Sequence, residues 1–304
     1  MVTLERIDAG FAPISRDAPG PAASPTEEKT TIAQRIRTDG ASFFWPMRLL
    51  PPPRRDAMQA LYLFCRELRD VADGNGSRTL KLALLADWRT QIALLYAGRP
   101  QHVVTRALRD AIKRFGLRSE DFLAIIDGMK MVSSADIRAP SFEQLDLYCE
   151  QTAVAVSRIV LRIFDAAPSD GERLAAALGR GIQLTGILRN LAEDAARHRL
   201  YLPRELLHAH GIFATMPSYV LAQPALPHVC SALAERAAAY FADAERAILS
   251  RPRGGMLGAR AMLSSYRALL KALLVRGWSR LDEPVCLPAW RQTVLLIGHG
   301  LIGR

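Results

Sequence analysis

Apolar residues recur at helical spacing along most of this chain, and this pattern is the strongest constraint on its fold. In the stretch 54–73 the apolar positions lie three or four residues apart, as the buried face of an amphipathic helix requires. They are Met58, Leu61, Tyr62, Cys65, Leu68 and Ala72. Leu and Ala dominate and β-branched runs are few, which favours helices over strands. The sequence therefore predicts an all-α protein.

Glycine and proline punctuation divides the pattern into separate helices. The expected ranges are 54–73, 79–97, 103–115, 119–131, 142–165, 170–197, 226–250 and 257–277. Ser119 and Ser141 are each followed by acids, which is typical of helix N-termini. A shorter helix is expected at 30–37, followed by an aromatic turn at 42–45 and a break at the three prolines 51–53.

Composition separates a leader from one large domain. Residues 1–28 are rich in Pro, Gly, Ala and charged residues, so they bury too little apolar surface to fold, and we expect them to be disordered. The composition does not change in the middle of the remaining chain. Residues 29–304 are therefore expected to form a single helical bundle.

The chain is basic, with a formal net charge of +10, which suits an anionic partner. Nucleic acid, an anionic membrane surface and phosphorylated substrates are all of this kind. The arginines are spread over the whole chain, and neither a zinc-finger spacing nor an RNA-binding sheet pattern is present. The sequence thus argues against nucleic acid.

Cysteine spacing and hydropathy indicate the compartment. Cys65, Cys149, Cys230 and Cys286 are far apart, which is typical of reduced thiols rather than a disulfide framework or a zinc site. No signal-peptide pattern and no long uncharged apolar stretch occurs. We expect a cytoplasmic protein, and peripheral contact with the inner membrane stays open.

Two helices carry polar residues along one face. In the first, Tyr62, Arg66, Arg69 and Asp73 lie within one sector of the helix at 100° per residue. In the second, Gln183, Gly186, Asn190 and Asp194 do the same. Polar groups that face a bundle interior are costly unless they are paired or bind a ligand.

Two interpretations of these faces remain open. The first is a buried salt-bridge network, for example between Asp194 and Arg66 or Arg69. The second is a diphosphate site, in which carboxylates one turn apart hold Mg²⁺ and arginines bind phosphate oxygens. The candidate metal ligands are Asp70, Asp73, Asn190, Glu193 and Asp194.

The chain resembles the squalene and phytoene synthase family, and especially its bacterial presqualene-forming branch in hopanoid synthesis. The resemblance rests on several spaced motifs in the family's order. They are Ser42-Phe43, Arg48-Leu-Leu-Pro51, Tyr62-Leu-Phe-Cys-Arg66, Ile126-Asp-Gly-Met129, Leu147-Tyr-Cys149, Gln183-Leu-Thr185, Ile187-Leu-Arg189, Glu193-Asp-Ala195, Arg199-Leu-Tyr-Leu-Pro203 and Arg276-Gly-Trp278.

The resemblance implies an isoprenoid-synthase bundle with a central cavity and a Mg²⁺-dependent prenyltransferase. Such an enzyme joins two farnesyl diphosphates head to head into presqualene diphosphate. By position, the resemblance implies that Tyr62, Arg66, Tyr148 and Tyr266 act at the reacting centre. It likewise implies that substrate is bound by Ser42, Arg69, Gln183, Arg189, Arg199 and Tyr201.

The chain departs from the family at its acidic motifs. Arg69 stands where the family has the first aspartate of one motif, and Asn190 where it has an aspartate of the other. One interpretation is that Arg69 contacts a diphosphate directly, since guanidinium suits this role. The other is a non-catalytic prenyl-diphosphate-binding or assembly protein, which would act beside a paralogous synthase.

Overall fold

The computed structural model describes residues 50–134, 137–164, 168–250 and 256–285. Within these residues every regular element is helical, and extended pairing is limited to an isolated parallel bridge between Arg138 and Leu200. The all-α prediction is confirmed. The predicted leader, the helix at 30–37 and the aromatic turn at 42–45 lie outside the described residues.

The helices follow one another with short connections. In chain order they are α1 (Pro52–Asp73), α2 (Arg78–Tyr96), α3 (Val103–Phe115), α4 (Ser119–Ser134), α5 (Phe142–Cys149), a π-helical turn (Glu150–Val154), α6 (Ala155–Ile163), α7 (Pro168–Arg189), α8 (Leu191–Ala196), α9 (Arg204–Ala209), α10 (Pro217–Leu221), α11 (Leu226–Leu249) and α12 (Leu257–Arg276).

Most predicted bounds agree with the structure, and local chemistry explains several of them. Ser141 caps α5 in a capping box with Gln144, which satisfies two backbone N–H groups. The expected break at the prolines is wrong by a few residues, because α1 begins inside the run at Pro52. Proline is well suited to a first helical turn, where its missing N–H would have no partner.

Two predicted helices are interrupted in the structure. The range 142–165 contains the π-helical turn at Glu150–Val154, which adds one residue to a helical turn. The range 170–197 breaks at Asn190, whose ψ of 13° departs from helical geometry. The short helices α9 and α10 were not predicted, because five or six residues are too few to show a helical period.

Two hydrophobic clusters form the core. The first joins α1 to α4 with α6, around Phe64, Trp88 and Phe122. The second joins α5, α7, α8, α11 and α12, around Leu178 and Phe241. Met262 on α12 packs against both clusters. The described residues thus share a continuous core, with α7 lying against α11, α6 and the π-helical turn.

Small residues let α7 approach its neighbours closely. A Cβ at Gly179 would lie 2.5 Å from Cα of Val154 in the π-helical turn. A Cβ at Gly181 would lie 2.5 Å from the ring of Phe241 on α11. Gly186, one turn further on, faces open space. The end of α7 that carries Gln183 and Arg189 therefore has open space on the side of Gly186.

Candidate active site

The end of α1 is tied to the segment after α8 by an ion pair. The Arg199 Nη1 atom lies 2.5 Å from Asp73 Oδ1, and Nη2 donates to the carbonyl of Ala72 at 3.2 Å. Arg197 adds a longer contact of 3.6 Å to Asp73. The end of α1 and the segment after α8 therefore meet.

Strained backbone positions Arg199 for this contact. His198 has a φ of 59° and Ala139 a φ of 53°, a left-handed conformation that costs a non-glycine residue on the order of 1 kcal/mol. Next to both residues lies the bridge between Arg138 and Leu200, in which the backbone N–H of Leu200 donates to the carbonyl of Ile137 at 2.7 Å. This pairing directs the chain so that Arg199 points back to α1.

Asp194 lies in the same region and is half-buried. Burial raises its pKa to about 7; the charges of Glu193 and Asp73 act in the same direction, and those of Arg199 and Arg197 oppose it. The acid is thus partly protonated at neutral pH. One interpretation of the sequence was an ion pair between Asp194 and Arg66 or Arg69. The ion pair found in this region joins Arg199 to Asp73 instead.

Tyr148 and Tyr201 form an aromatic wall beside these charges. Their rings stack with centroids 5.1 Å apart and an interplanar angle of 18°. Burial raises the pKa of Tyr148 to about 12 and that of Tyr201 further. Both phenols therefore stay protonated at neutral pH. The side chain of Tyr201, a predicted substrate-binding residue, is buried.

The other two predicted tyrosines lie on different sides of the bundle. Tyr266 packs against the second hydrophobic cluster, and burial raises its pKa while the charges of Arg189 and Arg69 lower it. Those two arginines therefore lie near its ring. Tyr62 packs against the first cluster on α1. The predicted reacting residues are thus supplied by both halves of the core.

The π-helical turn places polar groups next to Gln183. Thr152 donates to the carbonyl of Tyr148 at 2.6 Å and to Oε1 of Gln183 at 3.3 Å. Gln183 is in this way linked to the turn that follows Tyr148. π-Helical turns occur often at functional sites because the extra residue redirects side chains.

The arginines of the site differ in their partners. Arg66 lies 3.4 Å from Asp70 one turn along α1. The Nε atom of Arg189 donates to Oδ1 of Asn190 at 2.9 Å. Arg69 is exposed and has neither a hydrogen bond nor an ion pair with any residue that the structure describes. Ser42 lies outside the described residues.

Three of the five predicted magnesium ligands are paired with arginines. Asp70 is paired with Arg66, Asp73 with Arg199, and Glu193 lies 2.9 Å from Nη1 of Arg197. Within the described ranges no three side chains of His, Cys, Asp or Glu come together as metal ligands. Multiple magnesium ions need a concentration of negative charge, so this donor set does not fit a magnesium cluster.

Several residues of the site were not identified from the sequence. Arg197 contacts both Glu193 and Asp73, and its position four residues after Glu193 was the available signal. Lys81 on α2 donates to the carbonyl of Ala72 at 3.0 Å, which brings a further positive charge to the end of α1. Thr152 showed no sequence signal, because its role depends on the π-helical turn.

Comparison with known proteins identifies the family. The squalene/phytoene synthase profile matches residues 36–291. The presqualene diphosphate synthase of Rhodopseudomonas palustris is 44% identical over 86% of this chain and 94% of the relative. This chain belongs to the squalene/phytoene synthase family. The 15-cis-phytoene synthase of Synechocystis is a more distant relative, 28% identical over 91% of this chain and 87% of its own.

Solved structures of this family share the fold. A dehydrosqualene synthase aligns with a TM-score of 0.76 at 23% identity, covering 91% of this chain and 96% of the other. A squalene synthase from Alicyclobacillus acidocaldarius aligns with a TM-score of 0.73 at 23% identity, covering 86% and 98%. The squalene/phytoene synthase bundle is therefore the fold of this chain. Among its described helices, none has the length and hydropathy of a membrane span.

Proposed function

We propose that the protein joins two farnesyl diphosphates head to head into presqualene diphosphate. The observation that carries this proposal is the grouping of arginines and protonated tyrosines around the contact between the end of α1 and the segment after α8. Two presqualene diphosphate synthases, 44% and 42% identical, each match 86% of this chain over 94% of their own length, which supports the same activity here.

The arginines account for departure of the diphosphate. Breaking the C1–O bond of one substrate leaves an allylic cation and inorganic diphosphate. Arg66, Arg189 and Arg199 would stabilise the departing anion, since guanidinium groups bind phosphate oxygens in pairs. The positive side chains thus lie where negative charge develops.

The tyrosines would stabilise the allylic cation. The double bond of the second substrate attacks the cation, and loss of one proton closes the cyclopropane. Tyr148, Tyr201 and Tyr266 would face the cation with uncharged rings, whose π-electrons attract positive charge. Because their pKa values are raised by burial, these phenols do not supply a base. The proton would pass to the departing diphosphate.

Magnesium stays a prediction for this site. Members of the family use prenyl diphosphates, and a divalent ion would neutralise the leaving group and polarise its phosphate oxygens. Asp73, Glu193 and Asp194 would be the nearest donors, but their arginine pairs and the raised pKa of Asp194 do not fit several ions. The roles proposed above depend only on side chains of this chain.

The test is product analysis with the purified full chain, farnesyl diphosphate and magnesium. The proposal predicts presqualene diphosphate and one inorganic diphosphate for every two substrates consumed. Arg189→Ala should abolish most of this activity, whereas Arg89→Ala, which removes a surface pair with Asp127, should leave it intact. Substrate binding without product would instead favour the non-catalytic binding protein beside a paralogous synthase.

Peripheral membrane contact also stays a prediction, and one surface supports it. Between Glu205 and Glu235 the sequence has no Asp, Glu, Lys or Arg. Phe213, Met216 and Tyr219 in this stretch are exposed at 73%, 51% and 61%. Exposed aromatic and apolar side chains favour a lipid interface.

A further inference from the structure

Arg69 and Arg189 are the two arginines of the site without a carboxylate partner among the described residues. The other three each have at least one: Arg66 contacts Asp70, Arg197 contacts Glu193 and Asp73, and Arg199 contacts Asp73. Both unpaired guanidinium groups belong to exposed residues. A cation that no described carboxylate neutralises is available to an anionic ligand.

The two cations lie at one place in the bundle. Arg69 is on α1 and Arg189 is the last residue of α7. Arg69 lies about one turn before Asp73, whose carboxylate contacts Arg199 and Arg197 in the segment after α8. Arg189 directly precedes Asn190, the N-cap residue of α8. The charges of Arg69 and Arg189 also both act on the partly buried Tyr266. One turn before Arg189, α7 is open at Gly186, where an added Cβ would meet no atom within 4 Å. The end of α7 therefore leaves space for a ligand.

Asn190 holds Arg189 without cancelling its charge. Its amide Oδ1 accepts from Nε of Arg189 at 2.9 Å, so the two Nη groups remain available for a ligand. An aspartate at this position would make the same contact but would neutralise the guanidinium. Arg69 and Asn190 thus have the same effect: each makes the site more positive than the acid that the family resemblance implies at its position.

The overall charge of the site agrees with this. The site contains five arginines and four carboxylates, so its net charge is positive even when every acid is ionised. The arginines are Arg66, Arg69, Arg189, Arg197 and Arg199, and the acids are Asp70, Asp73, Glu193 and Asp194. A positive site attracts a diphosphate directly, whereas a site built for several metal ions needs an excess of negative charge.

We propose that Arg69 and Arg189 bind a diphosphate group directly, without a bridging divalent cation. The inference rests on the proposed function insofar as the diphosphate belongs to a prenyl substrate. Guanidinium is planar and always charged, and it can donate two parallel hydrogen bonds to phosphate oxygens. Two such groups, one near the end of α1 and one at the end of α7, hold one diphosphate between them.

Calorimetric titration of the full chain with inorganic pyrophosphate in EDTA tests the proposal. Pyrophosphate should bind in EDTA, and Arg69→Ala should weaken binding by roughly 10-fold or more, the effect expected for one charge-assisted hydrogen bond. Arg89→Ala should bind like the wild type. Binding that requires added magnesium, or equal affinity of the Arg69→Ala variant, would overturn the proposal, provided that circular dichroism shows both variants folded.

A second pair of variants tests the role of charge rather than of shape. Asn190→Asp preserves the size of the side chain and should weaken pyrophosphate binding in EDTA by neutralising Arg189. The double variant Arg69→Asp with Asn190→Asp should bind pyrophosphate only when magnesium is present. Metal-free binding that survives in the double variant would contradict the assignment.

The binding experiment and the product assay test the two proposals independently of each other. Metal-free pyrophosphate binding without presqualene diphosphate formation would refute the proposed function and leave the arginine site standing. Presqualene diphosphate formation together with strictly magnesium-dependent pyrophosphate binding would refute the arginine site and leave the function standing. Each outcome therefore identifies which of the two statements is wrong.

Discussion

Arg199 contacts Asp73 at 2.5 Å across 126 residues of sequence. The side chains are only 15% and 22% exposed, so water screens the pair less than it would at the surface. The contact fastens the segment after α8 to the end of α1. It thereby brings together the two halves of the candidate site.

Removal of Arg199 should destabilise the protein. In Arg199→Ala, Asp73 keeps only the longer contact to Arg197, and a half-buried carboxylate that loses its donor costs about 1–3 kcal/mol. The free energy of unfolding from urea denaturation measures this loss. Arg246→Ala, which removes an exposed pair with Asp243, should cost less than about 1 kcal/mol. Equal losses in the two variants would show that the Arg199–Asp73 contact contributes little.

Two glycines of α7 should respond in opposite directions to alanine. Gly179→Ala places a methyl group 2.5 Å from backbone of the π-helical turn, and such overpacking costs roughly 1–3 kcal/mol. Gly186→Ala meets nothing within 4 Å and should stabilise the helix by roughly 0.5–1 kcal/mol. Thermal unfolding of both variants checks the difference. A stable Gly179→Ala protein would contradict the close approach of α7 to Val154.

Asp194 should make stability depend on pH. Its pKa is raised to about 7 from an ordinary value of 3.8, so the folded state retains a proton that the unfolded state has lost. Its contribution is therefore fully present below pH 3.8 and is lost as the pH rises towards 7. The difference in unfolding free energy between wild type and Asp194→Asn, measured in EDTA, should follow this course. A difference that rises over this range would refute the raised pKa.

The exposed residues Phe213 and Tyr219 should contribute to binding of anionic vesicles. Replacing both with serine removes apolar surface that would enter the lipid interface, so co-sedimentation with anionic vesicles should fall several-fold. Val275→Ser removes an equally exposed apolar side chain on α12 and serves as the control. Unchanged sedimentation of the double variant would rule out this surface as the contact.

The sequence was sufficient to predict the helices of the core. A buried helix face repeats at three or four residues, and the range of α3, Val103–Phe115, agrees with its prediction at both ends. The π-helical turn and the break at Asn190 were not predictable in this way. Each changes one turn inside a continuous apolar pattern, and the cause lies in packing against neighbours such as Gly179.

The sequence by itself determined the all-α class, the family motifs and the two polar helix faces, because these depend on residue type and spacing along the chain. Only the tertiary structure decided how the charges pair. Asp73 is held by Arg199 rather than left for a metal, and Arg189 contacts Asn190 while Arg69 pairs with no described residue. Such pairing depends on distances between segments far apart in sequence, which the helical period of each segment does not contain.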